Sequence, residues 1–291
     1  MRSHIRTRTL FRALALGVLS ALLLPGCRSD GPTCPGATSV VRAAPCATES
    51  GVVRSAPSAT YTRVIRSAPS ATRTGVPKDA RTKLGTVPEF HPELGLGALE
   101  GYLEPEERPD SLTLVPPPPV PGSAALEHDR EVAEKTFPLR DTPRFALATS
   151  DFELKLPLLI EHFSCALDAQ ITKEDAPYLY NLLSRSFSDL AMSTYGAKTY
   201  YKRKRPFQEN NEPIAVPEMK SNLEKDPSYP SGHSAIGWGF ALILAEIAPH
   251  RDGELLARGR AYSESRMVAN HHWHSDVVWG RFMGSATVAR L

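Results

Sequence analysis

Residues 229–247, YPSGHSAIGWGFALILAEI, decide how this chain is read. From Ile236 onward the stretch is almost wholly apolar, and Pro249 stops it. It falls short of the ~18–20 apolar residues of a membrane-spanning helix and carries Glu246. Gly232–Ile247 is therefore read as a buried helix of a soluble domain. Its start is unusual, because His233 puts a titratable imidazole at a tight turn. Ser231 and Gly232 just before a helix leave backbone N–H groups pointing outward, which makes a ready anion site. Gly232 also lets a ligand approach the backbone closely. The plainer alternative is an N-cap turn with a surface histidine.

Around this helix the periodicity is helical throughout. Helices are expected over Ala124–Phe137, Asp151–Ala169, Ala176–Tyr195, Asp252–Val268 and His272–Ala289. In the third of these, Asp175 is the expected cap and Pro177 sits in the first turn. Leu179, Leu182, Leu183, Phe187, Leu190 and Ala191 then form one apolar face. Residues 101–125 hold a polyproline run that is expected to be extended. No convincing alternation of strand type is found. The fold class is all-α, a single helical bundle over residues 84–291, long enough to bury one sizeable core.

The first third is different in kind. Arg2, Arg6, Arg8 and Arg12 precede a short apolar run, Ala13–Leu24, and LPGC ends at Cys27. That is the pattern of an export signal over residues 1–27, and its end resembles a bacterial lipobox. The resemblance implies lipidation of Cys27, a membrane anchor and a periplasmic or outer-membrane location. The alternative is an ordinary cleaved signal. Residues 40–72 repeat every twelve residues, as VVRAAPCAT, VVRSAPSAT and VIRSAPSAT. A segment so poor in large apolar residues cannot offset its chain entropy, so residues 28–83 are read as a disordered basic tether. The net charge of +2 says little about partners, and no nucleic-acid partner is read. Among four cysteines no disulfide framework is evident, and Cys165 reads as a small buried apolar residue.

Three clusters in the second half carry chemistry. In AKTYYKRKRPF (197–207), Lys198 and Arg205 lie two helical turns apart and project from one face. Lys202, Arg203 and Lys204 read as a solvated surface. The second cluster is Pro230–Ser231–Gly232–His233. The third is SRMVANHHWHSD (265–276), where His272 and Asp276 are spaced i, i+4. A carboxylate on one imidazole nitrogen fixes the tautomer and makes the other more basic. Arg266 can present a planar fork to phosphate oxygens. A metal site at His271, His272 and His274 is the weaker reading, because consecutive helical histidines diverge and a further ligand is lacking.

In order these residues spell K-x6-R-P, P-S-G-H and S-R-x5-H-x3-D. That resembles the three-part signature of the type 2 phosphatidic acid phosphatase superfamily. GYLEPEERPDSLTLVPPPPVPGSAA, DAPYLYNLL, YPSGHSAIGWGFALILAEI and HWHSDV are similar to bacterial class A non-specific acid phosphatases, over about residues 95–291. The resemblance implies an exported helical enzyme that acts on small phosphomonoesters, uses no metal or other cofactor, and often self-associates. It implies His272 as nucleophile, oriented by Asp276, with His233 as general acid and then base. Lys198, Arg205, Arg266 and the N–H groups of Ser231 and Gly232 would hold the phosphoryl oxygens. Two departures stand out. Residues 208–228 lack a cysteine common in that family, so its disulfide is expected to be absent, and His271 is unusual. An acidic to near-neutral optimum is expected. Vanadium-dependent haloperoxidases carry the same motifs and are one rival reading. An integral lipid phosphatase and a non-catalytic phosphate-binding lipoprotein are the others.

Overall fold

A computed structural model describes residues 87–291; the export signal, Cys27 and the repeat tether lie outside the described residues. Eleven α-helical segments follow in order among those residues: α1 Ser111–Leu114, α2 Ala124–Thr136, α3 Pro143–Ser150, α4 Leu156–Leu167, α5 Pro177–Met192, α6 Tyr195–Tyr201, α7 Phe207–Asn210, α8 Lys220–Leu223, α9 Gly232–Ile247, α10 Asp252–Val268 and α11 His274–Arg290. The extended pairing among them is one isolated bridge, Glu89 to Leu99. The all-α expectation holds.

The helix at the centre is α9. A helix apolar on every side must be surrounded, and α9 packs against α5, α10 and α11. Its Ile236, Phe240 and Leu244 meet Leu159, Ile160 and Phe163 of α4, Leu183, Phe187 and Leu190 of α5, and Leu255 and Tyr262 of α10. Burial of each such side chain contributes about 1.5–3 kcal/mol. Leu179, Leu182 and Ala191 pack at the edge of the same core, as the face predicted for α5 requires. The polar residues on α5 are buried for another reason. Ser184 and Asp189 accept N–H groups of Leu99 and Tyr102 at 2.9 and 2.7 Å, and Ser188 donates to the Leu99 carbonyl at 2.6 Å. They fasten the segment before α1 along the bundle.

Several expectations are corrected. Asp175 does not cap α5; it pairs with Thr172, and Ala176 holds the cap position. Pro157 lies at the start of α4, so residues 151–155 form a loop rather than a first helical turn. Ser111–Leu114 makes a helical turn capped by Asp110 before the proline run. Cys165 is exposed and disulfide-bonded, not a buried apolar residue; the other three cysteines lie outside the described residues. His272 is not on a helix, since α11 starts at His274.

Close approach of helices sets where the second motif sits. A Cβ on Gly280 of α11 would fall 2.4 Å from the Ser231 carbonyl oxygen, and one on Gly284 2.6 Å from that of Ala235. The two glycines are one helical turn apart, so α11 presses its backbone against the start of α9. Gly280→Ala is expected to destabilise the protein by about 1–3 kcal/mol, the usual cost of overpacking. Gly253→Ala, where an added Cβ meets nothing within 4 Å, serves as control. A thermal melt in which both variants match the wild type would contradict this account of the α9–α11 contact.

Candidate active site

The third motif owes its shape to one residue in the left-handed region. Helix α10 ends at Val268, and Asn270 adopts a φ of 59°, a conformation asparagine tolerates at helix C-termini. Its side chain is held by Asn210 and the Glu212 carbonyl. The chain therefore folds back, and the N–H groups of His271 and His272 both donate to the Arg266 carbonyl, at 3.0 and 3.2 Å. Arg266 on the last turn of α10 and His272 in the turn are thus neighbours. Asp276, in the first turn of α11, reaches back. Its Oδ2 accepts the Trp273 N–H at 2.8 Å and lies 3.4 Å from His272 Nδ1. The pairing predicted for His272 and Asp276 exists, but as a helix-start contact rather than a shared helix face.

Asp276 is fully buried and has three further partners. Ser228 Oγ donates to Oδ2, Arg203 Nη1 donates to Oδ1 at 2.6 Å, and the backbone carbonyl accepts the Ser231 N–H at 2.9 Å. Ser228 Oγ also lies 3.3 Å from His272 Nδ1. On the other side of the ring, Arg205 Nη1 lies 3.0 Å from Nε2. A guanidinium only donates, so Nε2 carries the lone pair and Nδ1 the proton.

The first motif is not one helix face. Helix α6 stops at Tyr201, with Lys202 left-handed at φ 49°. The chain then runs extended, and an extended chain alternates its side chains. Lys202 and Lys204 point to solvent while Arg203 and Arg205 turn inward. Arg203 is therefore not the surface residue expected. It bridges Asp276 to Asp129 of α2, which its Nη2 meets at 2.7 Å. Asp129 in turn accepts the Ser275 N–H at 2.7 Å and so caps the start of α11. Arg205 donates to the carbonyls of Leu223, Asp226 and His271 and to Asp226 Oδ2 at 2.5 Å. Lys198 lies 3.5 Å from the same Asp226 oxygen and donates to the Pro227 carbonyl.

In the second motif, Ser231 caps α9 through its side chain, which accepts the Ser234 N–H. Its own N–H is taken by Asp276, so the expectation that Ser231 N–H faces an anion is corrected. The N–H groups of Gly232 and His233 have no acceptor among the described residues and remain available. His233 Nε2 lies 3.1 Å from the Phe152 carbonyl, and the Phe152 ring stacks on the imidazole at 5.5 Å. A carbonyl only accepts, so Nε2 keeps its proton and Nδ1 is the nitrogen that gains and loses one.

Lys198, Arg205, His233, Arg266, His271 and His272 line one cavity of about 1560 Å³. That exceeds the ~300–1,000 Å³ of an ordinary ligand pocket and leaves room for more than a phosphoryl group. Its charges are set by burial. Burial pulls His272 well below the usual imidazole range, helped by Arg205 and Lys198. His233 is held low by burial and Arg266, against the Phe152 carbonyl. Lys198 is lowered to about 8 by burial, which Asp226 opposes. Arg266 is fully buried and donates once, to the Ala148 carbonyl at 3.0 Å. Its Nε and Nη1 have no partner. Buried donors without acceptors are costly, and two of them on one guanidinium suit two oxygens of an oxyanion.

All eight sequence-predicted site residues thus gather at this cavity or directly beneath it. The reading missed Arg203, Asp129, Asp226, Ser228 and the Phe152 carbonyl. The KRKR alternation could have signalled Arg203, since two residues apart on an extended chain share a side.

Two histidines and three cations around one cavity of a helical bundle are suited to bind an oxyanion such as a phosphoryl group. Residues 177–291 match the PAP2 superfamily. The chain is 38% identical over 182 residues to an acid phosphatase of Zymomonas mobilis subsp. mobilis, covering 62% of this chain and 69% of that protein. It is 39% identical over 191 residues to a non-specific acid phosphatase of Providencia stuartii (65% and 77%). To the non-specific acid phosphatase of Salmonella typhimurium it is 36% identical over 197 residues (66% and 78%). A bacterial vanadium-dependent iodoperoxidase structure aligns with a TM-score of 0.44 at 16% identity, over 61% of this chain and 52% of that one; so slight a likeness adds nothing to the assignment. The chain belongs to the non-specific acid phosphatases of the PAP2 superfamily and is a phosphatase.

Arg203→Ala is expected to leave two buried carboxylates uncompensated, at a cost of about 3–5 kcal/mol. Chemical denaturation of the variant measures it. A loss below about 1 kcal/mol, the value of a surface ion pair, would show that Arg203 is the solvated residue its sequence suggests.

Proposed function

We propose that this phosphatase hydrolyses phosphate monoesters through a phosphohistidine on His272, without a metal ion. The observation that carries the reading is Arg266, whose Nε and Nη1 are unpaired and which lines one cavity with His272, Lys198 and Arg205. A phosphoryl oxygen takes over the Arg205 donor and frees that lone pair. Nε2 then attacks phosphorus, the ester P–O bond breaks, and His233 Nδ1–H protonates the departing alcohol. A positioned acid of this kind contributes about 10²–10⁴-fold. Water next attacks the phosphohistidine, His233 Nδ1 takes its proton, and phosphate leaves. Asp276 and Ser228 hold the Nδ1–H side of His272 throughout. Positioning and charge stabilisation carry most of such a transfer.

Lys198, Arg205 and Arg266 outnumber the Asp226 carboxylate that two of them share, and this positive balance supports the metal-free reading. We extend the proposal to the chain's N-terminus: export, lipidation at Cys27 and a periplasmic or outer-membrane location rest on the residue pattern of the signal. Self-association is carried over from the family resemblance alone.

His233 is held low in the free enzyme yet must be protonated to act. The phosphoryl dianion offsets Arg266, Arg205 and Lys198 and raises it. The basic limb therefore lies at higher pH in kcat, which reports the complex, than in kcat/KM, which reports free enzyme. Release of p-nitrophenol from its phosphate, with EDTA present, is expected from the wild type at pH 4–8 and not from His272→Ala. Loss of activity in EDTA that added metal restores, or an optimum above about pH 9, would overturn the proposal. Bromide oxidation with peroxide and vanadate would favour the haloperoxidase alternative.

A further inference from the structure

His271 has no role in the chemistry just described, yet it is among the most costly side chains in the cavity. It is 1% exposed, and neither ring nitrogen has a hydrogen-bond partner. A buried polar group left unsatisfied is destabilising. The backbone around it is in contrast fully engaged: its N–H donates to the Arg266 carbonyl and its carbonyl accepts from Arg205 Nη1 at 2.9 Å. The backbone of His271 is thus held by Arg205 and by the Arg266 carbonyl, while the polar atoms of its ring are unused. One aromatic ring locates it further. Phe152 stacks on His233, meets the edge of His271 at 5.3 Å and lies under the Arg266 guanidinium at 6.0 Å. Phe152 thus adjoins the His271 ring, the Arg266 guanidinium and the general acid His233, and all four residues line the one cavity.

We propose that His271 is a further substrate-binding residue, whose ring N–H donates a hydrogen bond to a non-bridging oxygen of the bound phosphoryl group. The inference rests on the phosphatase reading of the same site. A neutral imidazole has one donor and one acceptor, and among cations that hold an anion the donor is the half that gains. Burial and the neighbouring Arg266 and Arg205 lower His271 and favour its neutral form, in agreement with this role. The contact supplements the guanidinium fork and explains why a buried imidazole without partners is tolerated there. An apolar side chain of similar size would fill the same space at no desolvation cost. His271 is accordingly a binding residue, and loss of its N–H weakens phosphate without removing the nucleophile or the acid.

The test uses inorganic phosphate as the probe, with the full protein and the variants His271→Phe, His271→Leu and His271→Gln. Phosphate is measured as a competitive inhibitor of p-nitrophenyl phosphate hydrolysis and by the rise in Tm it causes. The expected result is a Ki raised about 5–10-fold in the Phe and Leu variants, with a smaller phosphate-induced Tm rise. Without phosphate their Tm should equal or exceed that of the wild type, since two unpaired polar atoms are gone. Gln, which keeps an N–H, should stay nearer the wild-type Ki. Phosphate affinity unchanged in Phe and Leu, with inhibition intact in the wild type, overturns this inference alone. A wild type that neither hydrolyses the ester nor responds to phosphate overturns the phosphatase mechanism and this inference together.

Discussion

The buried carboxylate of Asp276 is the contact on which the rest of the site depends. One side chain takes the Trp273 N–H, the Ser228 hydroxyl, an Arg203 N–H and the Nδ1 side of His272, while its backbone carbonyl takes the Ser231 N–H. These groups belong to all three motif segments, far apart in sequence. An isolated buried carboxylate would be prohibitive. Satisfied in this way, it instead fixes the start of α11, the start of α9 and the turn after α6 relative to one another. Breaking it would leave several donors and a charge without partners at once, so the three segments hold together or fail together.

The cations follow a related logic. Arg203 is neutralised by Asp276 and Asp129, and belongs to the scaffold. Lys198 and Arg205 share Asp226, which holds them in place and which a phosphoryl group must join or displace. Arg266 is in no ion pair among the described residues and keeps two donors unused. An oxyanion would give the unused Arg266 donors their acceptors. Electrostatic preorganisation of this sort works because the groups need not reorganise when charge develops.

Much of this was legible in the chain itself. The bounds of α9 and α10 follow from Gly232 before an apolar run, Pro249 after it and Val268 ahead of the turn. The three motifs named the residues that meet. What sequence could not supply were the positions whose role is created by tertiary contact. Asp129 lies 146 residues from Ser275 and has no local pattern to mark it. The Phe152 carbonyl acts through the backbone, which carries no side-chain signal. The helix expected from His272 begins two residues later because Asn270 turns the chain; a short polar residue able to adopt positive φ was the available clue. Cys165 was misread because an exposed disulfide-bonded cysteine and a buried free one look alike within an apolar helical pattern.

The central claim is a covalent bond between phosphorus and His272 Nε2. Its most direct test is rapid mixing of the wild-type protein with a phosphomonoester, an alkaline quench that preserves phosphoramidates, and peptide mass spectrometry. The account predicts one phosphoryl group on the peptide that contains His272, absent when Asn replaces His272 and acid-labile as a phosphohistidine is. A wild type that turns over substrate with no phosphopeptide at any quench time, or with the phosphoryl group on another residue, would contradict it.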